Sequence, residues 1–162
     1  MQHPTDDDYY LTHNEFDRES IWGAYFVPSE WNVSNVDDMY RVTVIFGHSN
    51  GNSMHKKFSV LKYFRDVNFA KEHRYIYLTL GERQTRWKIF AVADYPIDPS
   101  YTIANPDDSY FLTEIASMKA YSYNQYATEV GLNDKVLILS TCSGSDNYDT
   151  RFIVCAKLDE VF

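Results

Sequence analysis

A chain of 162 residues suffices for one packed core and is short for two, so residues 1–162 are read as a single domain. Its net charge of −8 and pI near 5.0 oppose a phosphate backbone and exclude nucleic acid as a partner. No apolar run approaches the 18 or so residues a membrane helix needs, and two cysteines with five scattered histidines (His3, His13, His48, His55, His73) form neither a disulfide framework nor a zinc cluster.

Aromatics are 17% of the chain, with 14 Tyr and 10 Phe, a composition that suits half-buried strands. The opening "MQHPTDDDYYLTHNEFDRES" is polar and reads as an extended arm or loop; its acidic triplet Asp6, Asp7 and Asp8 lacks the spacing of a calcium loop. "IWGAYFV" predicts a strand over Trp22–Val27, stopped by Pro28. "YRVTVIFGHSN" predicts a second, with Val42, Val44 and Phe46 on one face and His48 just past its end. "GNSMHKKFSVLKYFRD" repeats Phe58, Leu61 and Phe64 every third residue and predicts a short amphipathic helix.

"YIYLTLG" and "RWKIFAVADY" read as a hairpin about "ERQT", followed by the irregular connection "PIDPSYTIANPDD". "DDSYFLTEIASMKAYS" carries a capping signal and Phe111, Ile115 and Met118 at helical spacing. Last come "KVLILST" and "RFIVCAKL", joined by the nine polar residues Cys142 to Thr150. Six or so strands with two inserted helices predict a mainly β, closed or nearly closed barrel.

If the last two strands form an antiparallel hairpin, Cys142 and Arg151 flank its mouth and Cys155 lies about 13 Å further down. A disulfide needs Cα atoms within about 7 Å, so both thiols are expected to be free. Cys155, between Val154 and Ala156, reads as a small buried hydrophobe. Cys142 stands at a strand end beside a cation with five fixed donors, which leaves two readings open: a nucleophile with its oxyanion ligand, or an incidental exposed thiol.

"ILSTC", nine positions before the Arg that opens "RFIVCAKL", resembles the signature of the sortases, cysteine transpeptidases of Gram-positive cell walls. Leu139, Thr141, Cys142 and Arg151 match its Thr-Leu-x-Thr-Cys…Arg pattern, while Ile138 replaces the first Thr. "VIFGHSN" resembles the family's Gly-His strand end, with His48 in the place of the catalytic histidine. The helix in the connection before the penultimate strand, and "DDDYYLTHN" a dozen residues before "GAYFV", are similar to class B. The likeness runs from about residue 2 to 158.

The resemblance implies a sortase barrel of about eight strands, with a short helix after the His strand. It further implies a chain lacking a membrane anchor, an N-terminal helix and the first strand, and a site on the extracellular face of the Gram-positive cytoplasmic membrane. Cys142 would be the nucleophile, His48 the general acid and base, and Arg151 the oxyanion ligand. Ser140, Tyr101 and Leu11 would contact substrate. The partners would be a sorting-signal peptide, cleaved at a Thr-Gly-type bond, and a peptidoglycan precursor or other amine acceptor; no cofactor or metal is expected.

Two rivals remain. Another cysteine peptidase or acyltransferase would hydrolyse without amine transfer, although papain-type enzymes place Cys before His and neither the caspase nor the L,D-transpeptidase pattern is present. A non-catalytic surface barrel would leave Cys142 incidental.

Overall fold

Long apolar runs and one short parallel pairing organise the chain into one mixed sheet. The structure, a computed structural model, describes residues 1–31, 33–49, 57–144 and 147–162. Five strands make the sheet: β1 (Val42–Phe46), β2 (Tyr75–Leu80), β3 (Arg83–Pro96), β4 (Val136–Gly144) and β5 (Asn147–Val161), in the order β1-β4-β5-β3-β2. β1 runs parallel to β4, and the other neighbours are antiparallel. The strand count is thus below the six or so read from the sequence, and within the described residues β1 and β2 are edges rather than a closing pair.

Both faces of the central strands are buried, which is why β4 and β5 read as nearly continuous apolar runs rather than alternating ones. On one face, helix α3 (Asp108–Tyr121) sets Phe111, Ile115 and Met118 against Val42, Val44, Val136, Ile138, Ile153 and Cys155. Asp107 caps α3 by accepting from the Tyr110 amide, as the sequence signal requires. On the other face, Phe58, Leu61 and Phe64 pack on Trp87, Leu137, Leu139, Phe152 and Val154. Bulges in β3 after Arg86 and Ile89 bend it around the core, and at the second both Phe90 and Ala91 enter the α3 side.

Several expectations change form. The three-residue spacing of Phe58, Leu61 and Phe64 belongs to a 3₁₀ helix, Lys57–Arg65, whose i and i+3 side chains eclipse. The first part of that stretch, residues 51–56 with His55, lies outside the described residues. A further helix, α2 (Val67–Glu72), follows where Asp66 accepts from the amides of Asn68 and Phe69. The β2–β3 turn needs only Gly81 and Glu82, so most of "ERQT" is strand. The loop after Cys142 is shorter than nine residues: β4 and β5 continue pairing to Gly144 and Asn147, with residues 145 and 146 outside the description.

The expected strand Trp22–Val27 is not formed. Only Phe26 bridges Phe46, by a reciprocal pair of backbone hydrogen bonds of 3.0 and 2.8 Å. The Gly23 amide bonds to Ser20 and the Ala24 amide to Tyr10, so the segment is tied to the N-terminal arm. Its apolar residues Ala24 and Phe26 are buried against Tyr10 rather than in a ladder. The arm itself contains one helical turn, α1 (Tyr9–Thr12). Among the described residues no helix is long and apolar enough to cross a membrane.

Candidate active site

Strand register assembles the site. In the parallel β1–β4 pair Phe46 faces Ser140, and two residues further along each chain stand His48 and Cys142. Cross-ties hold the two chains together beyond the last pair: the Gly47 amide donates to the Ser140 carbonyl at 3.2 Å, and Thr141 Oγ1 donates to the Gly47 carbonyl at 2.6 Å. On the opposite side of β4, Cys142 is the direct partner of Arg151 in β5. Three adjacent strands thereby bring histidine, cysteine and arginine to one end of the sheet.

Glycine at 47 is a packing requirement. A Cβ there would lie 2.7 Å from Phe58 Cδ2 and 2.8 Å from Tyr25 Cδ1, closer than real contacts allow. The chain can therefore pass between these rings and present His48 only with hydrogen at that position.

His48, Cys142 and Arg151 line one cleft of about 550 Å³, with Leu11, Phe26 and Trp31 among its apolar walls. Arg151 Nη1 is 3.9 Å from Cys142 Sγ. Among the described residues no ion pair between Arg151 and a carboxylate occurs. His48 Nε2 lies 2.7 Å from the backbone carbonyl of Leu11. No group of three or more His, Cys, Asp or Glu able to hold a metal occurs among the described residues.

The two thiols are both free and differently placed. Cys142 is half-buried at the cleft, whereas Cys155 pairs with Ile138 inside the α3 core and has no exposed surface. Burial pushes the Cys155 thiol well above its ordinary range. The sequence expectation for this hairpin therefore holds in register, in the placement of Arg151 and in the absence of a disulfide.

The remaining three expected site residues divide. Leu11 lines the cleft and also supplies the carbonyl that meets His48. Ser140 forms the cleft floor, and its hydroxyl is 3.3 Å from the hydroxyl of Tyr101. Tyr101 lies beneath that floor, its phenol pushed up by burial. Its place is explained by the 3₁₀ turn Pro99–Thr102, which Asp98 caps by accepting from the Ser100 amide. Sequence reading did not identify Thr141 as the tie between β4 and Gly47, although a hydroxyl next to the cysteine was the available signal.

No family model matches the chain. A curated relative, sortase B of Listeria monocytogenes, is 26% identical over 155 residues, covering 94% of this chain and 61% of its own length. The chain thus spans about three-fifths of that relative. Among solved structures, the Staphylococcus aureus sortase B–substrate complex superposes over 99% of this chain and 72% of its own, with a TM-score of 0.85 and 20% identity. A cysteine-to-serine mutant of Clostridium perfringens sortase B superposes over 98% of this chain and 74% of its own, with a TM-score of 0.82 and 26% identity. Over nearly its whole length the chain therefore shares the fold of these sortase B structures, with sequence identity to sortase B proteins reaching 26%.

Proposed function

We propose that the protein is a cysteine transpeptidase of the sortase B kind, carrying an acyl group from a peptide to an amine through a thioester on Cys142. The observation that supports this most directly is the strand-end constellation, with Arg151 3.9 Å from the Cys142 sulfur and His48 lining the same cleft.

The chemistry follows from the groups. The sulfur of Cys142 attacks the scissile carbonyl carbon, and the oxyanion that develops is held by Arg151, whose guanidinium donates hydrogen bonds in a fixed fork. The C–N bond breaks as the imidazolium of His48 gives its proton to the departing amine. A thioester remains, which reacts with amines far more readily than an amide does, and the incoming amine loses its proton to His48 as the new C–N bond forms. Cysteine leaves as thiolate and the cycle closes.

The acyl donor in this reading is a sorting-signal peptide cleaved at a Thr-Gly-type bond, with Leu11 and Ser140 contacting it and Tyr101 fixing Ser140 from below. The acceptor is an amine of a peptidoglycan precursor or another cell-wall amine. The working place in this reading is the outer face of a Gram-positive cytoplasmic membrane.

The test is intact-protein mass spectrometry during turnover of a small library of sorting-type pentapeptides, with and without triglycine or diaminopimelate. An acyl-enzyme mass on the wild type, absent from Cys142→Ala, and an amide product that appears only with amine are expected. Hydrolysis with no amide product under any amine would replace transpeptidation by peptidase activity. No adduct with any peptide, and Cys142 labelling no faster than Cys155, would overturn the enzyme reading.

A further inference from the structure

We infer that the Leu11 carbonyl and Gly23 fix the tautomer of His48, so that Nε2 keeps its proton throughout the cycle and Nδ1 is the atom that exchanges one with substrate. The inference rests on the proposed role of His48 as acid and base, and it names the ring atom that fills that role.

A carbonyl oxygen has lone pairs and no proton, so the 2.7 Å contact between Leu11 O and His48 Nε2 requires a hydrogen on that nitrogen. In the neutral ring the lone pair then sits on Nδ1. The carbonyl is placed by complete use of the end of α1. The Tyr10 carbonyl accepts from the Ala24 amide at 2.9 Å, the Leu11 carbonyl from His48, and the Thr12 carbonyl from the Ser20 amide at 2.8 Å. Three successive acceptors that a helix end leaves unpaired are thereby each satisfied, two by the segment that contains Gly23 and one by the imidazole.

Gly23 is the point where these parts touch. Its φ is 53°, in the left-handed region that glycine adopts without steric cost. A Cβ there would fall well inside contact with the Tyr10 carbonyl, and would stand 3.0 Å from Leu11 O and 3.1 Å from His48 Cδ2. Any side chain at 23 must therefore push apart the backbone at Tyr10, next to the acceptor, while crowding both the acceptor and the ring edge it orients. Gly23 is a positioning residue: it touches no reacting atom and acts through His48.

Nitrogen-15 NMR of the imidazoles reads the tautomer without turnover, with His48 assigned by comparison with His48→Gln. For the neutral ring, a protonated Nε2 and an unprotonated Nδ1 are expected; the opposite tautomer or an even mixture would overturn the inference. Gly23→Ala should lose the single tautomer and reduce kcat about 100-fold, as expected for misplacement of a catalytic group by about 1 Å. KM and the rate of Cys142 alkylation should stay within about two-fold under the same positional argument. Gly131→Ala, whose Cβ meets nothing closer than 3.8 Å, is the control and should change neither readout. A Gly23→Ala enzyme with the wild-type tautomer and normal kcat would remove Gly23 from the account. If Gly23→Ala does not fold, the wild-type spectrum still decides the tautomer. The stated tautomer in a protein that turns over no peptide would refute the proposed function and the proton exchange at Nδ1, and leave only the tautomer assignment standing.

Discussion

Cys142 and Cys155 sit on neighbouring strands of the same hairpin, four rungs apart, and their surroundings have almost nothing in common. The rung of Cys142 faces Arg151 and opens into the cleft; that of Cys155 faces Ile138 and is closed over by α3. One sulfur is beside a guanidinium and partly in water, the other is fully buried with its thiol pushed up by desolvation. Depth along a ladder, set by the register, separates a thiol at the cleft from a packing atom in a way that residue type cannot.

The sharpest way to break this comparison is to remove each sulfur in turn. Cys142→Ala is expected to abolish peptide turnover and thioester capture while changing unfolding free energy by no more than about 0.5 kcal/mol, as half-exposed sites do. Cys155→Ala should keep turnover within about two-fold and cost roughly 1–2 kcal/mol in denaturant unfolding, from lost contacts and a small cavity. Inactivity of the second variant with activity of the first would reverse the assignment.

Next in size is Arg151→Lys, which keeps the charge and loses the fork. A fall in kcat of about 100- to 1000-fold is expected, the range for losing an oxyanion donor. Rates close to wild type would refute that role. Alkylation sharpens the contrast without any substrate: iodoacetamide at pH 7–9 should label Cys142 alone, because burial keeps Cys155 inaccessible and protonated, and label on Cys155 should appear only with denaturant.

Two smaller effects probe what supports the cleft. Tyr101→Phe removes the hydroxyl that meets Ser140 and should cost about 1 kcal/mol of stability, with KM for peptide rising only a few-fold. At Asp94, burial alone would raise the carboxyl, but hydrogen bonds from Tyr123 and Arg65 outweigh it and hold it below its ordinary value. The same arginine donates to the Ser143 carbonyl, next to Cys142. A depressed carboxyl contributes stability in full above its unfolded value, near 4, and loses it as pH falls through the folded value. The ion pair is partly solvated, so Asp94→Asn should flatten the acid limb by less than about 1 kcal/mol.

The hairpin comparison also shows which parts of the molecule can be read from the chain. β4, β5 and α3 were legible because burial on both faces, or on one helical stripe, leaves a pattern within each segment. "IWGAYFV" misled for a physical reason: its Ala24 and Phe26 are buried against α1 and Phe46 of β1, and periodicity does not distinguish a buried strand from a buried irregular segment. α2 has only six residues and was missed, although Asp66 signals its start. Cys142 and Arg151 could be placed together because they are nine positions apart on adjoining strands. The proximity of His48 came from motif resemblance, since nothing local in "VIFGHSN" specifies that it will lie parallel to a strand 94 positions on. The Leu11 contact is a backbone carbonyl, which no side-chain pattern encodes.

The parallel β1–β4 pairing also orders assembly in time. Closing the gap from Phe46 to Ser140 costs about 3 kcal/mol more in loop entropy than closing the short gap from Gly144 to Asn147. A refolding chain is expected to unite Cys142 with Arg151 first and receive His48 afterwards, so hairpin formation should precede recovery of turnover in a stopped-flow refolding experiment. Under the proposed mechanism, Cys142 would lack its proton donor until that last strand docks, and a half-folded molecule would not complete acyl transfer.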